Sequence, residues 1–231
     1  MNRSFLSVFA SLAALSMAVA SNANANNCNP PVGVSGETIA FAWGANDKGQ
    51  LGDGTSDELP HMLPVPVQLS GVTAVAGGLA HSLGLTTDSR VWAWGANGNG
   101  QLGDGTTDER HTPIQVQNLT GVKSITASWL HSLALRNDGT VWAWGANDRG
   151  QLGDGTTIDR HTPVEVQNLS GVAAIAAGQD HNLALKNDGT VWSWGVNSAG
   201  QLGDGTTIDR HTPVQVPNLS GIGRASCRER V

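Results

Sequence analysis

Repeated histidines are the residues of this chain best suited to metal or acid–base chemistry. They form two series that recur every 50 residues: His81, His131 and His181, and His61, His111, His161 and His211. Ligands of a zinc ion must lie within about 2.0–2.1 Å of it, and side chains on different units of a repeat array are too far apart for that. We therefore predict neither a metal nor a cofactor. We expect the first series to hydrogen-bond to backbone or to a neighbouring loop.

Four Gly-Asp-Gly-Thr segments place an aspartate at one repeat position: Asp53, Asp104, Asp154 and Asp204. A calcium loop alternates acidic or amide side chains and ends in glutamate, and that pattern is absent here. We predict instead that each aspartate caps its own turn by bonding to the loop backbone. For the neighbours Asp159 and Arg160, and likewise Asp209 and Arg210, we expect loop ion pairs worth about 0–1 kcal/mol.

The sequence contains no recognisable catalytic set. It has no GxSxG elbow, no HExxH pair, no P-loop and no cysteine–histidine arrangement for a thiol nucleophile. Almost every polar residue also recurs in each copy, whereas an active site needs its groups once. The glycosylation-like triplets at Asn118, Asn168 and Asn218 share one repeat position, which favours a turn role. We predict that the chain is not an enzyme.

Tryptophan marks the repeated unit that positions these side chains. The chain has eight Trp, three Phe and no Tyr, and Trp94, Trp144 and Trp194 are spaced by 50 residues, with Trp43 leading by 51. The segment QLGDGTTIDRHTPV occurs identically at 151–164 and 201–214. A 50-residue period with strand-like content favours a propeller blade or another β-repeat, because helical repeats need a 3.6-residue periodicity that is missing here.

One unit contains enough pattern for four strands. Residues His131–Gly145 alternate with period two on either side of Asn137-Asp138-Gly139, which is a strong hairpin signal. Before this hairpin, residues 121–128 predict a short buried strand. After each such hairpin, a run of the TPIQVQNL type, as at residues 112–119 in the preceding copy, predicts an edge strand that starts near a proline. The long segment 146–160 between successive hairpins is rich in Gly and Asp and predicts an ordered surface loop.

The recurring positions make the chain resemble the regulator-of-chromosome-condensation repeat family. In the last copy they are Gly178, Gln179, Asp180, His181, Leu183, Leu185, Asp188, Gly189, Val191, Trp194, Gly195, Asn197, Gly200, Gln201, Leu202, Gly203 and Pro213. The match covers nearly all of residues 38–221 in almost four copies. The resemblance implies an all-β fold, a seven-bladed β-propeller of four-stranded blades. This chain would supply about four of the seven blades, and self-association is expected if the array is truncated.

Positions that differ between copies on this constant frame are the best candidates for binding a partner. Between the first strand and the repeated histidine, the copies carry Leu79-Ala80, Trp129-Leu130 and Gln179-Asp180. Side chains on such loops ring one face of a propeller, and Trp is enriched at binding hot spots. We predict a partner-binding rim that contains Trp129. For Trp94, Trp144, Trp194 and the histidines His81, His131 and His181 we predict a structural role in each repeat.

Both ends of the chain differ from the array. Residues 1–25 combine Arg3, an apolar run over 5–20 and small residues up to Ala25, which predicts a secretory signal peptide, followed by a linker over 26–37. The apolar run is too short for a membrane span. Residues 222–231, IGRASCRERV, resemble the translation of a sequencing adapter, so we interpret them as a non-native tail.

Charge and export restrict the partner. Removing the signal peptide and the tail takes four Arg and one Glu from 13 basic and 19 acidic residues, which leaves 9 basic and 18 acidic residues and a net charge of −9. Such a surface repels a polyanion, so nucleic acid is not expected as a partner. We predict a secreted or periplasmic, non-catalytic scaffold that binds another protein through one loop-lined face. The resemblance also implies alternatives: a guanine-nucleotide exchange factor-like regulator of a small GTPase, a β-lactamase-inhibitor-like binder or a glycan-binding propeller.

Overall fold

The computed structural model describes residues 7–10, 15–20 and 38–222, and this part of the chain is built from β-strands. Sixteen strands form four antiparallel sheets of four strands each, in chain order within every sheet. The prediction of an all-β fold with four strands per repeat is confirmed. Closure into a seven-bladed ring stays a prediction.

The strands of the four sheets follow one another along the chain. Sheet 1 comprises β1 (Ser7–Ala10), β2 (Leu15–Ala20), β3 (Ile39–Asn46) and β4 (Asp57–Ser70). Sheet 2 comprises β5 (Val72–Gly77), β6 (His81–Thr86), β7 (Val91–Gly95) and β8 (Arg110–Gln115). Sheet 3 comprises β9 (Val122–Ala127), β10 (His131–Arg136), β11 (Val141–Gly145) and β12 (Arg160–Glu165). Sheet 4 comprises β13 (Val172–Ala177), β14 (His181–Lys186), β15 (Val191–Gly195) and β16 (Arg210–Gln215).

The hairpin inside each unit fixes which residues face each other. In sheet 3, Ser132 pairs with Trp144 and His131 with Gly145. The turn uses Gly139 at φ +82°, a left-handed conformation that glycine adopts without the steric cost of a Cβ. In sheet 2 the outer strand is shifted from the predicted residues 112–119, because β8 begins at Arg110 and ends at Gln115. Asn118, at φ +54°, then turns the chain toward the next sheet.

The hydrophobic core lies between sheets and not within any one of them. One cluster joins Leu83 and Leu85 of sheet 2 to Ala134 and Trp144 of sheet 3. A second cluster joins sheet 3 to Trp194 of sheet 4 in the same way. Sheets 1, 2 and 3 therefore each bury one face against the following sheet. Burial of apolar surface stabilises the array of sheets and not the single unit.

Sheet 1 is completed by two strands that the sequence comparison between copies does not predict. Strand β2 pairs with β3, and Met17 is buried at 3% exposure beside Ala40, Ala42 and Trp94. Residues 15–20 are mostly apolar and can adopt an extended conformation. Without β2, one edge of β3 would be unpaired. Both strands lie in the segment with signal-peptide character. The pairing of β2 with β3 does not test whether a peptidase removes residues 1–25, so the signal peptide stays a prediction.

The repeat geometry extends one residue beyond the predicted boundary of the array. The amide of Ile222 donates to the carbonyl of Gly189 at 3.2 Å, as the amide of Val172 donates to Gly139 at 3.1 Å. Ile222 therefore follows the repeat, although the sequence analysis assigns it to the tail. Residues 223–231 lie outside the described residues, as do the predicted linker over 26–37 and most of residues 1–25.

Candidate functional site

Three hairpin tips project from the same end of sheets 2, 3 and 4. In each, the residue before the tip donates its amide to the histidine that begins the next strand, as from Ser128 to the His131 carbonyl at 2.9 Å. The tip then consists of two residues: Leu79-Ala80, Trp129-Leu130 and Gln179-Asp180. The first of each pair is exposed and the second is half-buried. The structure thus divides the predicted rim residues into three that face solvent and three that support them.

Hydrogen bonds join the three tips into one continuous arc. The amide of Leu79 donates to the carbonyl of Trp129 at 3.3 Å, which connects sheets 2 and 3. The hydroxyl of Ser128 lies 2.6 Å from the carbonyl of Gly178, which connects sheets 3 and 4. Leu79 and Trp129 are each 43% exposed. We call Leu79, Trp129 and Gln179 the tip arc.

The half-buried tip residues anchor the arc through their carbonyls. Ala80, Leu130 and Asp180 accept hydrogen bonds from the residue that follows the Trp-Gly pair, at 2.8 to 2.9 Å. Asp180 differs from the other two because it carries charge. Burial raises the pKa of the Asp180 carboxyl, and the nearby carboxylate of Asp148 raises it further. Arg149 opposes this effect and pairs with Asp148 at 3.5 Å, so the Gln179 end of the arc is charged, while the Leu79 end is apolar.

Below the arc, His81 and His131 bond to side chains of the next sheet. Nε2 of His131 lies 2.9 Å from Oδ1 of Asn182. Nδ2 of Asn182 donates to the carbonyl of Gln151 at 2.7 Å, so the amide orientation is fixed and Oδ1 can only accept. His131 therefore carries its hydrogen on Nε2. The expected partner was backbone or a loop; the side chain at the position after the next histidine takes that role instead.

The same network recurs one unit earlier with a serine in place of the asparagine. The hydroxyl of Ser132 donates to the carbonyl of Gln101 at 2.9 Å, so its oxygen accepts from Nε2 of His81, also at 2.9 Å. The indole of Trp144 donates to that same carbonyl at 2.8 Å. Trp94, Trp144 and Trp194 are all fully buried. One main-chain carbonyl thus receives two donors from the following sheet.

Burial keeps these imidazoles neutral. Burial lowers the pKa of His81 to about 3, and the neighbouring His131 lowers it slightly more. Burial also lowers the pKa of His131, to about 4, against the opposing effect of its bond to Asn182. Nδ1 of His81 and of His131 is buried without a hydrogen-bond partner among the described residues. Each of these two imidazoles is buried and is bonded through Nε2 to a side chain of the next sheet, so it contributes to the sheet interface.

The aspartates of the long connectors bond within their own loops. Oδ1 of Asp154 accepts from the amide of Thr156 at 2.9 Å and from its hydroxyl at 2.7 Å. Oδ2 of Asp154 pairs with Arg160 at 2.8 Å. Burial alone would raise the pKa of Asp154, but these hydrogen bonds outweigh it and lower the pKa. Each such loop is therefore a preformed, internally satisfied turn.

The expected ion pair between Asp159 and Arg160 is wrong. Arg160 turns back to Asp154, while the carboxylate of Asp159 accepts from the amide of Asn147 at 2.8 Å and from Nδ2 of Asn99 at 3.0 Å. Adjacent side chains on an extended segment point to opposite faces, which keeps Arg160 and Asp159 apart. The second expected pair fails in the same way, because Arg210 pairs with Asp204 at 2.7 Å.

The connectors of sheets 1, 2 and 3 also dock on the next sheet. The amide of Gly105 donates to the carbonyl of His161 at 2.9 Å, and a side chain at Gly100 would overlap the His161 ring. His111 and His211 hold the same position against the preceding connectors. His61 does not belong to this series. It pairs with Gly44 in sheet 1, and the residue at the matching position in sheet 2, opposite Gly95, is Arg110 and not His111. A shift in sheet 1 moves the histidine by one place.

Among the described residues, no group of three or more His, Cys, Asp or Glu side chains is arranged to hold a metal ion. No helix long and apolar enough to cross a membrane occurs in this part of the chain. A shallow depression of about 710 Å³ is bordered by the outer turn 165–170, where no acid and base side chains converge. Asn118, Asn168 and Asn218 all have φ between +54° and +60°, as turn residues do.

Sequence reasoning missed the residues that hold the interfaces together. The acceptors are the carbonyls of Gln50, Gln101 and Gln151, which have no side-chain signature. The hydroxyl of Ser128 bridges two tips, at a repeat position where the neighbouring copies carry Gly78 and Gly178. The asparagine that recurs at the start of each connector was a sequence signal for a packing role. Asn97, Asn147 and Asn197 recur and are 0% exposed, which a loop residue without a packing role would not be.

The chain matches the family model of the RCC1-like domain over residues 32–229. It is similar to the ultraviolet-B receptor UVR8 of Arabidopsis thaliana, with 39% identity over 79 residues, 33% of this chain and 18% of the receptor. It is also similar to the secretion-regulating guanine nucleotide exchange factor of Mus musculus, with 41% identity over 78 residues, 33% of this chain and 17% of that protein. The matched segment is thus under a fifth of each relative.

Solved structures show the same architecture. Human WBSCR16 superposes with a TM-score of 0.72 at 26% identity, over 88% of this chain and 52% of that protein. Prp20p of Saccharomyces cerevisiae superposes with a TM-score of 0.65 at 24% identity, over 82% of this chain and 52% of Prp20p. The chain spans about half the length of these structures.

Proposed function

This chain belongs to the RCC1-like domain family, and we propose that it is an exported, non-catalytic scaffold that binds another protein through the tip arc. The observation that carries the proposal is the pairing of two exposed apolar side chains, Leu79 and Trp129, on loops that are hydrogen-bonded to each other. Export rests on the signal-peptide character of residues 1–25.

Rigidity supports a binding role for the arc. The tips are two-residue hairpins whose ends are hydrogen-bonded, and the sheets beneath them are fixed by the His, Ser and Trp network. An apolar side chain held at a defined place loses little conformational entropy when it binds. Trp is the residue most often found at interface hot spots, and truncating such an anchor costs about 2 kcal/mol or more.

Charge around the arc indicates the chemistry of the partner. Asp180, which follows Gln179 in its tip, lies near both Asp148 and Arg149, and the chain as a whole carries a net charge of −6. A partner surface with an apolar socket and a basic rim complements this arrangement, and opposite charges speed encounter as well as fix orientation. A polyanion such as nucleic acid is disfavoured by the same charges.

The proposal is tested by site-specific capture. A photo-crosslinking amino acid at position 129 is used to trap proteins from the exported fraction of the source organism, and the trapped protein is then purified. We expect Trp129→Ala to weaken its binding by about 30-fold, the equivalent of about 2 kcal/mol. Leu59→Ala is the matched control, because Leu59 is 78% exposed on the outer strand of sheet 1, away from the arc.

Two results would overturn the proposal. One is a captured partner that binds the Trp129→Ala variant as tightly as the parent protein. The other is acceleration of nucleotide release from a small GTPase loaded with fluorescent GDP, which would favour the exchange activity named for the mouse relative. A panel of serine β-lactamases and a polysaccharide column test the remaining alternatives. Inhibition or retention that Trp129→Ala does not abolish would place the binding surface elsewhere.

A further inference from the structure

We propose that Ser128 is a positioning residue that fixes Trp129 in the tip arc, a role that rests on the proposed function of Trp129 as the main contact for a partner. The site lies between the tips of sheets 3 and 4, and the residues on both sides of it are described. The place that Trp129 takes can be measured on the purified chain alone, whereas its affinity for a partner needs that partner.

Ser128 occupies a position at which the neighbouring units carry glycine. A Cβ at Gly78 would overlap the ring of His81 and the carbonyl oxygen of Ser128, and a Cβ at Gly178 would overlap the ring of His181. Neither glycine has a left-handed φ, so it is the close approach of these atoms that requires glycine. The tips of sheets 2 and 4 thus leave no room for a side chain at this position, whereas the tip of sheet 3 holds one.

The hydroxyl of Ser128 bridges the tips of sheets 3 and 4. Between sheets 2 and 3, the amide of Leu79 donates directly to the carbonyl of Trp129 at 3.3 Å. Within residues 38–222, no matching main-chain bond joins the amide of Trp129 to the carbonyl of Gln179. Instead, the amide of Trp129 donates to Oγ of Ser128 at 2.6 Å, and the hydroxyl of Ser128 donates to the carbonyl of Gln179.

This bridge fixes both main-chain groups of Trp129. The amide of Trp129 is bonded toward sheet 4 through Ser128, and its carbonyl is bonded toward sheet 2 through Leu79. The carbonyl of Gly178, 2.6 Å from the same Oγ, is a second acceptor for the hydroxyl. Ser128 is only 6% exposed, and hydrogen bonds in series strengthen one another away from water. An anchor held in this way loses less conformational entropy when it binds.

Two substitutions separate the hydroxyl of Ser128 from its Cβ. Ser128→Ala keeps the Cβ but removes the bridge, so the amide of Trp129 loses its acceptor. Ser128→Gly restores the residue found in the neighbouring units. We expect the tip of sheet 3 then to approach sheet 4 until the amide of Trp129 donates directly to the carbonyl of Gln179, as the amide of Leu79 does to Trp129. Trp129 would keep a bonded main chain but take a different place in the arc.

The experiment uses nuclear magnetic resonance of the purified chain, labelled with nitrogen-15 and with fluorotryptophan. Hydrogen exchange of the Trp129 amide should be about 5-fold faster in Ser128→Ala than in the parent protein, and should return toward the parent rate in Ser128→Gly. The fluorine signal of Trp129, identified by its loss in Trp129→Phe, should shift in both variants. Ser198→Gly is the matched control, because Ser198 is exposed on the connector of sheet 4, and it should change neither reading.

A partner captured through position 129 adds a measurement of affinity. Ser128→Gly should weaken binding by about 2- to 10-fold. The midpoint of thermal unfolding should stay that of the parent protein, a combination that a purely stabilising role of Ser128 would not produce.

Three results would overturn the positioning role: unchanged exchange of the Trp129 amide in Ser128→Ala, an unshifted fluorine signal in Ser128→Gly, or equal affinity of Ser128→Gly and the parent protein for the captured partner. If no protein is captured through position 129, the proposed function fails, while the exchange and fluorine measurements still decide whether Ser128 positions Trp129.

Discussion

Lowering the pH should destabilise the sheet interfaces at the buried histidines before it protonates most of the loop aspartates. His81 has a pKa of about 3 and His131 of about 4 in the folded chain, against an ordinary value near 6.5. Between pH 6.5 and these lower values, the two histidines are protonated in the unfolded chain but remain neutral in the folded chain. Stability is therefore fully present above about pH 6.5 and is lost as pH falls toward the folded pKa values.

The magnitude follows from these pKa values. Lowering the pH from 7.5 to 5 should reduce the free energy of unfolding by about 2 kcal/mol for each of the two histidines, about 4 kcal/mol in all. The lowered pKa of Asp154 keeps that carboxylate ionised throughout this interval, so its ion pair with Arg160 persists.

The assay is urea unfolding at pH 7.5 and pH 5, followed by the fluorescence of the buried tryptophans. His131→Gln keeps a donor at the Nε2 position but does not titrate, so the difference between the two pH values should shrink by about 2 kcal/mol. The same change at the exposed His161 controls for loss of an imidazole as such. If His131→Gln retains the full difference between pH 7.5 and pH 5, acid sensitivity does not arise at this interface.

Three further perturbations test the connectors and the chain terminus. Asp154→Asn removes an ion pair with Arg160 in which the carboxylate is 6% exposed, and should reduce the free energy of unfolding by about 1–3 kcal/mol, measured by urea unfolding. Asp148→Asn removes a pair that is exposed on both sides, and should reduce it by under about 0.5 kcal/mol. Gly100→Ala should destabilise by about 1–3 kcal/mol more than Gly121→Ala in the same assay, because both strain a left-handed φ but only the first overlaps the next sheet. Mass spectrometry of the exported protein should find an amino terminus between residues 21 and 27, and an intact residue 1 would contradict the signal peptide.

The sequence was sufficient to predict the four-stranded repeat unit, because periodicity and turn chemistry are local. The pairing of Ser132 with Trp144 across Asn137-Asp138-Gly139 follows from alternation and from one glycine. The partner of Arg160 could not be found in this way. It depends on which face of the connector each side chain takes, and that is set by the docking of the whole loop.

Prediction also failed where the chemistry resides in the main chain. The carbonyls of Gln101 and Gln151 hold two sheets together, but any residue would supply a carbonyl. The exposure of Trp129 was predicted from its loop position, whereas its contact with Leu79 depends on the angle between neighbouring sheets. Such relations between units become visible only when several units are in place.

The main-chain acceptor at every sheet junction also affects how this gene can evolve. No point mutation can delete a peptide carbonyl, so the acceptor survives sequence drift as long as the connector keeps its course. Because each junction has the same composition, an inserted or deleted unit meets neighbours that already fit it. The segments at 151–164 and 201–214 are identical in amino-acid sequence, so either can occupy the other's place in the array. We therefore expect related genomes to encode versions of this protein that differ in length by whole 50-residue units.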